Sequence, residues 1–143
     1  MLASVRVNAP AAGIEGVLVQ SMANGLAEAI VGYRHDPMVG PVVLVGLGGQ
    51  LAEIYRDTAI ACAPVDEAQA IELIERVKGF ALLRGFRNLP KGDLEALARA
   101  VAAVSRLALL EGQPVAEAEI NPLLVGADGA VAVDGLVVLK GTA

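Results

Sequence analysis

Apolar positions are arranged along the chain in three zones. Short β-branched runs come first, two stretches with helical spacing follow, and two long apolar runs close the sequence. Residues 17–22 (VLVQSM), 28–33 (EAIVGY) and 42–46 (VVLVG) are separated by Asn24-Gly25, Asp36-Pro37 and Gly40-Pro41, which is the punctuation of strands and turns. They are expected to be successive antiparallel strands. After Gly46-Leu47-Gly48-Gly49, residues 51–56 (LAEIYR) alternate apolar with polar, which predicts a hairpin across the glycines. A further strand is expected over 59–65, ending near Pro64.

Asp66 with Gln69 three residues on has the pattern of a capping box before Ile71, Ile74 and Val77, and predicts a helix stopped by Gly79. Residues 80–85 (FALLRG) read as one more helical turn. A second helix is expected from its N-cap Asp93: Leu94, Leu97, Val101, Val104 and Ala108 recur at steps of three and four, and Gly112 ends it. Residues 115–125 and 130–139 then form two strands joined through Ala127-Asp128-Gly129. Strands, two helices, then strands, with no βαβ alternation, predict an α+β fold: a mainly antiparallel sheet with helices packed on one face.

Composition narrows the class. A chain of 143 residues suits one domain, and 55% apolar residues with only 3% aromatics make the core aliphatic. Mean hydropathy is +0.60, yet glycines and a proline break the longest uncharged run, residues 37–52, so no membrane span is expected. The start of the chain lacks a signal-peptide pattern and Cys62 is the single cysteine, which together predict a cytoplasmic protein. A net charge of −5 without a Lys/Arg cluster argues against nucleic acid as a partner. The apolar excess fits surfaces that pack on the rest of a longer chain or on a second copy, as in a homo-oligomer.

Candidate chemistry centres on the final hairpin. Glu119 and Asn121 are two apart and share a strand face, with Asp134 on the facing strand. Two carboxylates and an amide suit Mg²⁺, which takes oxygen ligands and fills its shell from water and phosphate. The same spacing also fits two solvent-facing carboxylates and an Asn capping a turn before Pro122. GLGG lacks the Lys-Ser/Thr ending of a P-loop and no helix follows it, so it reads as a plain turn. His35 is expected in an exposed loop, and Cys62 as a small buried residue.

Taken together, GVLVQSM, GLAEAIVGYRHDPMVGPVVLVGLGG, LAEIYRDTAIACAP, LLRGFRNLPKGDLEAL and EINPLLV with VAVDG resemble the second half of the ATP-grasp module of NDP-forming acyl-CoA synthetases, relatives of the succinyl-CoA synthetase β subunit. The match runs in order from about Ile14 to Leu139. It implies a lead-in at 1–13 and a C-terminal ATP-grasp subdomain at 14–143, within a larger multidomain protein. In that family ATP and Mg²⁺ are clasped between two α+β subdomains, and an acyl phosphate and a phosphohistidine link ATP to the CoA thioester. The resemblance assigns Asn121 and Asp134 to the metal and Glu119 to catalysis. It assigns Glu28 and Gln20 to the ATP/ADP pocket, Gln20 lying in the hinge strand that meets the adenine.

The partners implied are the remaining ATP-grasp half and the CoA-binding domain, without which this chain should not turn over. Three positions depart from the family pattern: Ala61 in DTAIACAP stands where an Arg is usual, Ser21 follows Gln20 in place of Glu, and Leu136 replaces the Arg after the metal-ligand Asp. Two lost positive charges weaken a triphosphate site. The alternatives are therefore a degenerate regulatory ATP-grasp unit, for example one fused to an acetyltransferase, or a dimerisation or interaction module.

Overall fold

The computed structural model describes residues 2–49 and 56–141. Helix α1 (Leu2–Asn8) lies within the lead-in, and residues 12–25 form neither helix nor strand. The sheet has six strands: β1 (Ala27–Asp36), β2 (Gly40–Leu47), β3 (Thr58–Cys62), β4 (Val115–Val125), β5 (Ala130–Ala132) and β6 (Gly135–Leu139). Their order is β3-β2-β1-β4-β5, with β6 also on β4, and every pairing is antiparallel.

The β1–β2 connection is fixed by Asp36, whose Oδ1 accepts the N–H groups of Met38 and Val39 at 2.8 and 3.1 Å. Those bonds hold its carboxyl below the usual carboxylate range. Helix α2 (Glu67–Arg76) starts at the expected capping box: Asp66 Oδ1 accepts from Gln69 N at 2.8 Å and Gln69 Oε1 accepts from Asp66 N at 3.0 Å. A 3₁₀ segment, Lys78–Leu83, supplies the predicted extra turn and buries Phe80 and Leu83. Helix α3 (Leu94–Ser105) is capped by Asp93, which accepts from Ala96 N at 2.8 Å.

Both helices pack on the same sheet face. Leu73, Ile74, Leu97 and Val101 meet Val31, Val43, Val45, Leu123 and Val125 in one aliphatic core. Each such side chain withdrawn from water contributes about 1.5–3 kcal/mol. The segment leading into α2 is tied to α3 through Ser105, wholly buried, whose Oγ accepts from Val65 N at 3.0 Å and lies 2.8 Å from Ala102 O. Among the described residues no helix packs on the other sheet face: Ile30, Arg34, Leu44, Ile60, Glu117 and Glu119 line a shallow groove of about 350 Å³ there. Among the described residues no helix is long and apolar enough to cross a membrane.

Four expectations are corrected. Residues 17–22 are not a strand: among the described residues no ladder partner takes their backbone groups, and Leu18, Val19 and Met22 stand in solvent. The run 130–139 is two strands, because Pro122 has no N–H to offer across the ladder and Asp134 turns out of it. Cys62 is exposed, since the strand alternation turns it to the helix-free face with Ile60. His35 ends β1 rather than sitting in a loop, and its Nε2 lies 2.9 Å from Gln113 Oε1. The hairpin expected over 51–56 lies outside the described residues apart from Arg56.

Candidate functional site

Strand β4 crosses the site and changes partners midway. Its first half pairs with β6, with Glu119 opposite Leu136, and its second half with β5, with Leu123 opposite Ala132. Between them Asn121 N donates to Asp134 O at 3.2 Å and Val133 N to Pro122 O at 3.1 Å, which sets Asp134 against Asn121 at the break. Gly135 N donates to Asp134 Oδ1 at 2.8 Å and so orients that carboxylate. Glu119, Asn121 and Asp134, with Gly135 and Leu136, line one small cavity of about 50 Å³. The three residues expected from the sequence to act together are brought together.

These donors fit Mg²⁺. They are hard oxygens: two carboxylates and an amide, with Asp134 Oδ2 left over from the bond to Gly135. Among the described residues no group of three His, Cys, Asp or Glu side chains forms a fuller metal cluster. A cation held by two carboxylates keeps water or phosphate in the rest of its shell, as Mg²⁺ commonly does. Leu136, at the same cavity, adds no positive charge to it.

Glu28 lies opposite Leu124 in the β1–β4 ladder, and Leu124 lines the next hollow along the sheet. That groove, of about 320 Å³, runs between Gln20 and Met22 on the extended segment and Val131 and Val133 on the hairpin. Its floor and walls are mostly apolar, which suits a flat ring. Glu28, opposite Leu124, thus lies between the groove bordered by Gln20 and the part of β4 that carries Asn121 and Glu119.

The glycine turn after β2, which sequence reasoning left as a plain turn, belongs to this line. Gly48 N donates to Glu28 O at 2.8 Å, and Gly49 N donates to Asn121 Oδ1 at 3.0 Å. Consecutive glycines directly after a buried strand were the available signal, since they allow one backbone to approach another closely.

The described residues thus form an antiparallel sheet backed by helices on one face, with an apolar groove and a cluster of oxygen donors on the other. The chain belongs to the ATP-grasp family, whose domain description matches residues 1–139. It is 38% identical over 139 residues to acetate–CoA ligase [ADP-forming] I of Archaeoglobus fulgidus, covering 97% of this chain and 20% of that protein. It is also 38% identical over 130 residues to the β subunit of acetate–CoA ligase [ADP-forming] I of Pyrococcus furiosus, covering 91% of this chain and 56% of the subunit. The solved structure of acetyl-coenzyme A synthetase 1 of Ca. Korarchaeum cryptofilum, in complex with coenzyme A and Mg-AMPPCP, superposes with a TM-score of 0.77 at 35% identity. That match covers 83% of this chain and 55% of the other. The expected likeness to ADP-forming acyl-CoA synthetases and the α+β ATP-grasp fold are thereby borne out, and the chain spans only part of the length of these relatives.

Proposed function

We propose that this chain supplies the Mg²⁺- and nucleotide-binding half of an ADP-forming acyl-CoA synthetase of the acetyl-CoA type. The observation that carries the reading is the convergence of Glu119, Asn121 and Asp134 on one cavity at the end of the apolar groove. In this reading residues 14–143 are the C-terminal ATP-grasp subdomain, and 1–13 lead into it. Gln20 and the extended segment border the adenine, Glu28 lies beyond them, and Asn121 and Asp134 hold the cation beside Glu119.

Mg²⁺ bound there neutralises phosphate charge and draws phosphate oxygens into line, which is most of what phosphoryl transfer needs. The chain's own part is positioning. The Gly135 N–H orients Asp134, and the ladder bond from Asn121 N to Asp134 O fixes the spacing of the two strands. Glu119, which lines the same cavity, would stand beside the cation and help to order its shell. The other ATP-grasp half and a CoA-binding domain would complete the ligase, in the cytoplasm where ATP and CoA are available. By itself the chain would bind nucleotide weakly and turn over nothing.

The relatives named above are ligases and synthetases, which favours this reading over a regulatory unit or an interaction module. The test is calorimetric titration of Mg²⁺-ADP into the chain, beside Asp134→Ala and a metal-free run. Heat that requires both Mg²⁺ and Asp134 is the expected result. Equal heats from wild type and Asp134→Ala would remove Asp134 from the site.

A further inference from the structure

The Asn121 side chain makes a contact that a cation ligand does not require. Its Oδ1 accepts the Gly49 N–H at 3.0 Å, linking positions 72 residues apart. One residue earlier Gly48 N donates to Glu28 O at 2.8 Å, so two successive amides of the turn are held, one by β4 and one by β1. Gly49 has φ +66°, and a Cβ built there would fall on the Glu28 carboxylate. The turn thus backs directly onto the Glu28 side chain; a larger residue would push that carboxylate aside and would be strained at the positive φ.

We propose that Asn121 is a positioning residue: it latches the Gly48–Gly49 turn onto the site face and, through Gly49, sets the Glu28 carboxylate. An amide oxygen has two lone-pair directions, so the bond to Gly49 leaves capacity toward the cavity that Asn121 shares with Glu119 and Asp134. The cation end and the nucleotide end of the site are then oriented by one side chain. Removal of the amide frees a left-handed glycine turn and leaves Glu28 without its backing surface. For its effect on nucleotide the inference rests on the function proposed above; for the latch itself it rests only on the contacts.

The experiment has two arms on the metal-free chain. In the first, NMR hydrogen exchange follows the Gly49 amide. Slow exchange is expected in wild type and in Asn121→Asp, whose carboxylate can accept the same bond, with exchange about 10-fold faster in Asn121→Ala. Exchange of the wild-type Gly49 amide at the open-peptide rate would overturn the latch.

In the second, ADP affinity is measured with and without Mg²⁺. Asn121→Ala is expected to lose about 5-fold in metal-free affinity, in addition to the Mg²⁺-dependent gain that Asp134→Ala also loses. Loss of the Mg²⁺-dependent gain alone would make Asn121 a plain ligand and overturn the proposal. A wild-type chain that binds ADP under neither condition counts against the proposed function instead, and the exchange arm then decides the latch.

Discussion

Replacing Gly48 with alanine would press a methyl group into the backbone of β1. The added Cβ would lie 2.5 Å from both the carbonyl carbon and oxygen of Ala29 and 3.0 Å from Ile30 N. These are backbone atoms in the middle of a sheet, paired on both sides, and cannot swing aside as a side-chain tip would. The turn must move instead, which stretches the bond from Gly48 N to Glu28 O, now 2.8 Å. Overpacking of this kind costs about 1–3 kcal/mol and the weakened hydrogen bond about 1 more. The smaller unfolded-state entropy of alanine returns about 0.5 kcal/mol.

The net loss is about 1.5–3.5 kcal/mol, which lowers Tm by about 4–10 °C for a domain of this size. Thermal unfolding followed by circular dichroism measures it. Gly13→Ala is the control, because nothing lies within 4 Å of a Cβ there, and it should shift Tm by under about 1 °C. A Gly48→Ala protein that melts with wild type would refute the close approach of the turn to β1, and with it the seating of Gly49 between Glu28 and Asn121.

Ser105→Ala removes the only side-chain oxygen that accepts the buried Val65 N–H, and should destabilise by about 1–3 kcal/mol in urea titration with an unchanged m-value. Tyr33 is 2% exposed and its hydroxyl has no hydrogen-bond partner among the described residues, so Tyr33→Phe should be neutral or stabilising by about 1 kcal/mol in the same assay. Burial also raises the Tyr33 phenol above its ordinary 10.0, so its neutral form favours folding. That contribution is complete below pH 10 and is lost as pH rises through the folded value; Tyr33→Phe should flatten the fall in stability above pH 10.

Much of this architecture is written in local signals. The Asp66–Gln69 capping box, the Asp93 cap and the stripe through Leu97 and Val101 each specify their helix from within a few residues, and each is found in place. The grouping of Glu119, Asn121 and Asp134 was legible because strand alternation and a hairpin turn suffice to bring them together. What failed depends on partners distant in sequence. Residues 17–22 have strand composition, but pairing needs a neighbour that the described residues do not provide. The break at Asp134 follows from Pro122 on the opposite strand, and Cys62 is exposed because no helix among the described residues covers its face. The role of Gly48 and Gly49 was hidden for the same reason, since Glu28 and Asn121 lie on two other strands.

The proposed function puts a divalent cation with nucleotide at Glu119, Asn121 and Asp134, on the sheet face away from α2 and α3. Paramagnetic broadening by Mn²⁺-ADP in an amide NMR spectrum tests it residue by residue. The strongest losses are expected at Glu119, Asn121, Gly135 and Gly49, with the amides around Asp66 and Glu72, on the α2 side behind the sheet, left sharp. Broadening centred on the carboxylates of α2, or spread evenly over the acidic surface, would contradict it.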